Sequence, residues 1–218
     1  AVLAALAAAL VAVPAKASAA LATHVQRISG AARIETAIAA SHSEFPSAGS
    51  AKAVVLSRSD DFPDALAGVP LAAKVGAPLL LTPPGQLETD VAAEIQRVAP
   101  RGVTVYVLGG SSALNTSIDT AITALGDTPK RLFGSDRFAT AVVIADQLGD
   151  PTTVFEATGL SFPDALAAGP AAIQAGGAIL LTDGSQQAPA TAAYLATHHV
   201  AVHYALGGTG ALVAALVR

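Results

Sequence analysis

The chain has 218 residues, 52% of them hydrophobic and 13% charged, with a net charge of −4 and no cysteine. That supply of apolar side chains suffices for one large or two ordinary domains. The missing cysteines exclude a disulfide framework and a thiolate metal centre, and the negative balance excludes a general electrostatic grip on nucleic acid, which needs a basic face.

Residues Ala1 to Val13 form an uncharged apolar run followed by Pro14-Ala15-Lys16-Ala17-Ser18-Ala19. This is the pattern of a secretory h-region and its small-residue cleavage site, so 1–19 is expected to be a partial signal peptide on an exported chain. The run is too short for a comfortable bilayer crossing, and no membrane span is expected in the mature form.

Beyond it, short β-branched runs alternate with alanine-rich helical stretches. Strands are expected at Val25–Ile28, Ala53–Leu56, Pro78–Leu81 and Val103–Leu108, with helices near Arg33–Ser43, Asp64–Lys74, Glu88–Val98 and Leu114–Leu125. After Gly126-Asp127-Thr128-Pro129 the pattern resumes, with strands at Lys130–Phe133, Thr153–Ala157, Ala178–Leu181 and Val200–Leu206. Helices are expected near Arg137–Leu148, Asp164–Ala175, Ala188–Thr197 and Ala211–Val217. Continuous apolar strands alternating with helices indicate βαβ units and a parallel sheet covered on both faces. Pro70 and Pro170 are expected to kink or interrupt their helices, and Gly76 and Gly177 to end them.

The second half repeats the first. Arg27-Ile28-Ser29-Gly30-Ala31-Ala32-Arg33-Ile34-Glu35-Thr36-Ala37 returns as Arg131-Leu132-Phe133-Gly134-Ser135-Asp136-Arg137-Phe138-Ala139-Thr140-Ala141. Phe62–Ala67 returns as Phe162–Ala167, Leu80-Leu81-Thr82 as Leu180-Leu181-Thr182, and Leu108-Gly109-Gly110 as Leu206-Gly207-Gly208. The fold expected is therefore α/β, two tandem doubly wound and mainly parallel-sheet repeats, with copies at 20–126 and 127–218, the second truncated if a fuller repeat exists. A duplicated unit argues against a single catalytic centre.

All four repeated blocks fall in β-to-α connections, which in a parallel sheet emerge at one edge, where open α/β sheets bind ligands. Arg33 and Arg137 open a helix with Thr36 and Thr140 one turn on, and Asp64 and Asp164 stand at the start of another. An arginine, a threonine hydroxyl and helix N-termini make an anion pocket. In the plainer alternative the aspartates are helix caps, or Arg33 and Asp64 pair and brace adjacent loops. With Asp136, which precedes Arg137, these seven residues are the candidate ligand contacts.

The blocks resemble the cell-wall-binding repeat 2 family of secreted Gram-positive proteins, whose repeat reads approximately R-x-x-G-x-D-R-[YF]-x-T-A, then F-P-D-A-L-A-A, then an L-L-T strand, then a strand ending in G-G. Both copies carry F-P-D-A-L-A, and the second carries the arginine block intact. The first has Ala32 where the second has Asp136, and Ile34 in place of Phe138. The resemblance implies non-catalytic attachment to the cell wall or cell surface through an anionic wall polymer. Family members commonly hold three repeats in pseudo-threefold arrangement; with two here, a third repeat or a homo-oligomer would complete the set.

Two other functions compete. An exported peptidoglycan hydrolase of the muramoyl-alanine amidase kind would need clustered zinc ligands. His24, His42, His198, His199 and His203 have no histidine at the matching position of the other copy, and His198-His199 reads as a surface pair rather than a metal site. No G-x-S-x-G elbow is present. The other is a self-assembling surface-layer component, built by edge-to-edge packing of the units. No catalytic residue, resident metal or cofactor is expected, the Leu-Gly-Gly turns lacking dinucleotide spacing.

Overall fold

A computed structural model describes residues 25–184 and 186–208. The expected signal segment, His24 and the expected helix Ala211–Val217 lie outside the described residues.

In chain order the elements are α1 (Arg33–Glu44), β1 (Val54–Arg58), α2 (Pro63–Val75), β2 (Leu79–Thr82), α3 (Thr89–Val98), β3 (Thr104–Leu108) and α4 (Thr116–Ala124). The second copy contributes β4 (Thr128–Leu132), α5 (Arg137–Gln147), β5 (Thr153–Thr158), α6 (Pro163–Ala175), β6 (Ala178–Thr182), α7 (Pro189–Thr197) and β7 (Val202–Leu206). The strands form two all-parallel sheets, ordered β2-β1-β3-β4 and β6-β5-β7. Strands such as β6 are buried at every position, as helices on both faces require. In α3 the buried Val91, Ile95 and Val98 recur at helical spacing and form its inward stripe.

The first sheet does not stop where the sequence repeat restarts. Strand β4 pairs in parallel with β3, from Thr104↔Thr128 to Leu108↔Leu132, so the second copy begins by completing the sheet of the first. The matching segment of the first copy, Val25–Ile28, corrects the strand expectation. It is irregular, with Val25 80% exposed, and has no partner among the described residues. Strand character here is conferred by a neighbouring ladder rather than by β-branched content.

The expected break at the helical prolines does not occur either. Helices α2 and α6 run continuously for 13 residues each, with Pro70 and Pro170 inside. Each proline forgoes one intrahelical bond, and packing of α2 on both units holds the helix through the gap. The left-handed ends are Gly76 (φ 63°) and Gly176 (φ 59°), one residue earlier in the second copy than expected, and φ values that glycine tolerates best.

One core spans both units. Val55, Leu71, Leu108 and Leu132 pack in the same cluster as Ile144, Phe155, Ile179 and Leu180. A second cluster, with Leu56, Leu80, Ile95, Ile118 and Ile122, covers the other face of the first sheet. Among the described residues no helix is long and apolar enough to cross a membrane.

Candidate functional site

Because every described strand pairing is parallel, the β-to-α loops of each sheet open at its carboxyl edge. The first of these turns is built alike in both copies. Thr36 Oγ1 accepts the Gly30 N–H at 3.0 Å, and Thr140 Oγ1 accepts the Gly134 N–H at 3.1 Å. The two threonines therefore staple the glycine turn that positions the arginine. Asp136 is the N-cap of α5 and accepts the Ala139 N–H at 2.8 Å. Ala32, its counterpart, has no side-chain oxygen to offer, and Glu35 instead accepts the Ala32 N–H at 2.9 Å.

Both arginines turn toward the next loop of their own unit. Arg33 Nη1 donates to the Ser59 carbonyl at 2.7 Å and Arg137 Nη1 to the equivalent Gly159 carbonyl at 2.8 Å. The alternative pair, Arg33 with Asp64, does not form among the described residues. Arg137 Nη2 reaches Asp61 Oδ2 of the first unit at 3.2 Å. Nor are Asp64 and Asp164 caps: the N-cap residues of α2 and α6 are Phe62 and Phe162, without a side-chain bond. The Phe-Pro-Asp order places proline at N1 and the aspartate at N2, two residues past the cap, where it still meets the positive helix end.

The consequence is a cleft of about 160 Å³ between the two units. The first unit supplies Arg58, Asp61, Asp64 and the Gly110–Ala113 turn; the second supplies Gly134, Asp136, Arg137 and Thr140. Arg58 is clamped by both oxygens of Asp60 at 2.6 Å, a bidentate pair that fixes the guanidinium plane. Asp64 is 9% exposed. Burial, followed by the charge of Asp61, pushes its carboxyl up to about 6 against the opposing pull of Arg58 and Arg137. Gly109 (φ 101°) makes room for it, since a Cβ there would stand 2.6 Å from Asp64 Oδ2. At neutral pH the cleft therefore holds two oriented guanidinium groups flanking a carboxyl that exchanges its proton readily. That set can take an oxyanion or a hydroxyl-rich sugar.

The seven candidates do not all meet. Asp64, Asp136, Arg137 and Thr140 line this cleft. Arg33 lines a separate hollow of about 230 Å³ with Arg58, Asp60 and Phe62. Thr36 is engaged in its own turn, and Asp164 lines neither space. Two cleft residues escape a search for repetition. Arg58 and Asp61 correspond to Thr158 and Ser161, and only the local charge density of Arg58-Ser59-Asp60-Asp61 signals them.

Another asymmetry lies inside the second sheet. Glu156, fully buried in β5, is 2.6 Å from His203 Nε2 of β7 and accepts from Gln187 at 3.2 Å. The first unit has Leu56, Val105 and Leu87 at these positions.

Against known proteins, the Cell wall binding domain 2 (CWB2) profile matches residues 27–119 and 131–217. The chain is 34% identical over 157 residues to the "Amidase enhancer" of Bacillus subtilis, covering 72% of this chain and 21% of that protein. It is 28% identical over 188 residues to the B. subtilis "N-acetylmuramoyl-L-alanine amidase LytC", covering 86% and 37%. Among solved structures, Cwp8 from Clostridium difficile superposes with a TM-score of 0.77 at 31% identity, over 87% of this chain and 32% of that one. Cwp6 from the same organism does so at 0.77 and 25%, over 85% and 29%. The chain thus spans well under half the length of each of these relatives.

Proposed function

The chain belongs to the cell wall binding domain 2 family, and from that premise we propose that it is a non-catalytic module of an exported protein that attaches to an anionic polymer of the cell wall. The copies are taken as 20–126 and 127–218, with the polymer seated in the cleft between them. The observation that carries this reading is the composite cleft, in which Arg58 and Asp64 of the first unit face Arg137 of the second. Arg58 Nη1 and Arg137 Nε have no partner among the described residues, and planar guanidinium groups suit phosphate or carboxylate oxygens. An approaching anion favours protonation of Asp64, which then donates a further hydrogen bond.

Cleavage is assigned elsewhere than to this module. The amidase relative extends far beyond the matched region, and the cleft pairs no histidine with a nucleophile. Among the described residues the second unit also leaves bare the face that it covers on the first: Leu66 is 8% exposed but its counterpart Leu166 56%, and Tyr204 is 51% exposed. A further repeat unit, in the same polypeptide or a second one, fits that face, and sedimentation velocity of the processed chain separates the two sources.

The test is retention on purified cell walls before and after secondary polymers are stripped. Loss of retention on stripped walls is expected, and equal retention would remove the anionic polymer as ligand. Clearing of a peptidoglycan zymogram by the chain alone would overturn the non-catalytic assignment.

A further inference from the structure

At the end of the second unit opposite the rim, just before β5 and β7 begin, Asp146, Asp150 and His198 bring three ligand atoms within 4.8 Å of one another. His198 Nε2 stands 3.5 Å from an oxygen of each carboxylate. Its other nitrogen, Nδ1, lies 3.0 Å from the Tyr194 carbonyl. The Thr197 hydroxyl, 3.1 Å from the same nitrogen, spends its proton on the Ala193 carbonyl at 2.8 Å, and a carbonyl only accepts, so both contacts call for a proton on Nδ1. In the neutral ring Nε2 is then a lone pair facing two carboxylates, the tautomer that metal-bound histidines adopt.

The same place in the first unit shows what is missing. There Glu94 of α3 is met by Arg97 at 2.7 and 2.8 Å, His42 at 3.0 Å and Ser41 at 2.5 Å. Burial alone would raise the Glu94 carboxyl, yet the hydrogen bonds from Arg97 and Ser41 hold it below the usual range. In the second unit Tyr194 replaces Glu94, Thr197 replaces Arg97 and Asp146 replaces His42. Two carboxylates remain with one imidazole and no guanidinium. Lys74, which reaches over from α2, donates to the Leu148 carbonyl instead.

Two further observations point the same way. The Tyr194 hydroxyl, in a residue 2% exposed, has no hydrogen-bond partner among the described residues. It belongs to the ring that stacks on the His198 imidazole, with centroids 3.9 Å apart and 10° between the planes. The cluster also sits where α5 and α7 both end, and neither helix has a basic residue in its last turn. The negative ends of two helices favour a cation there.

We propose that Asp146, Asp150 and His198 bind a divalent first-row cation that clamps the end of α5 to the end of α7, replacing the Arg97–Glu94 bridge of the first unit. One imidazole nitrogen and two carboxylate oxygens, with water completing the shell, suit zinc. Calcium, which takes six to eight oxygens, is served poorly.

The probe is Zn²⁺ itself, titrated calorimetrically into the metal-free full chain, with Tm followed in parallel. The wild-type chain is expected to take up one zinc ion that an Asp146→Asn/Asp150→Asn variant binds at least about tenfold more weakly, and to gain Tm with zinc where the variant does not. Thr197→Arg, which restores the guanidinium of the first unit, is expected to raise Tm without zinc and to abolish the zinc increment. Equal zinc uptake by wild type and the asparagine variant, uptake by neither, or a calcium response as large as that to zinc would overturn the proposal. Wall retention reads the cleft alone, so the two assignments fail separately.

Discussion

Phe62 and Phe162, equivalent residues of the two copies, meet edge to face with ring centroids 6.0 Å apart and 67° between their planes. The contact joins the starts of α2 and α6, whose aspartates follow two residues on. It ties the aspect of one helix N-terminus to the other, and thereby the cleft on one side to the shared core on the other. Such pairs contribute about 0.5–1.5 kcal/mol beyond the area they bury. A double-mutant cycle of Phe62→Ala and Phe162→Ala in urea should return a coupling of roughly that size. Additive losses would mean that the rings are neighbours without being partners.

Asp64 predicts a pH dependence of stability. Its folded pKa, about 6, lies above the 3.8 of an ordinary aspartate, so the folded state holds the proton more tightly. Its ionisation therefore lowers stability as pH rises from about 4 to about 6, by at most about 3 kcal/mol, and the cost stays constant above that. Asp64→Asn should unfold at higher urea than wild type at pH 7.5, with the advantage disappearing near pH 4. An unchanged difference at both pH values would place the effect outside this carboxyl.

Arg137→Ala should weaken wall retention more than Arg33→Ala does. Arg137 reaches the composite cleft and the Asp61 carboxylate of the other unit, whereas Arg33 lies outside the cleft and braces the Ser59 carbonyl. A charged hydrogen bond contributes about 1.5–3 kcal/mol, so binding isotherms on purified walls should shift roughly ten- to a hundredfold for Arg137→Ala. Equal shifts for the two variants would detach binding from the cleft.

The buried Glu156 and its partner His203, on the exposed strand β7, can be returned to the apolar pair of the first unit. His203→Val alone removes the 2.6 Å contact to Glu156 and leaves that buried carboxyl with Gln187 alone, which should cost about 1–3 kcal/mol. Glu156→Leu with His203→Val should recover most of that loss or exceed wild type, since well-packed apolar replacements of buried pairs are often neutral or better. Chemical denaturation of the three chains decides it; a double variant as unstable as the single one would contradict a pairing of these two side chains.

Much of the fold could be read from the chain because local pattern and tertiary environment agree. The apolar runs that became β1, β5 and β6 are buried on both faces, and the glycines after α2 and α6 end those helices in the left-handed region. What could not be read depends on partners distant in sequence. Val25–Ile28 has the composition of a strand but no ladder, while its counterpart, expected at Lys130–Phe133, does form a strand, begun two residues earlier at Thr128 because β3 lies beside it. Repetition located Arg137 and Asp64 but hid Arg58 and Asp61, since a cleft formed between two copies takes different residues from each. The Glu156–His203 pair was visible only as a charged residue in an apolar strand whose counterpart is leucine.

The crossing of β4 into the first sheet bears on how such a gene can lengthen or shorten. A deletion that cut at Gly126, where the text of the repeat restarts, would strip β4 away and bare the β3 backbone from Thr104 to Leu108, an open template for aggregation. A breakpoint after Leu132 leaves the sheet whole. The heritable cassette is therefore shifted by one strand from the motif by which the copies are recognised, and recombination that respects the motif alone parts β4 from the sheet that it completes.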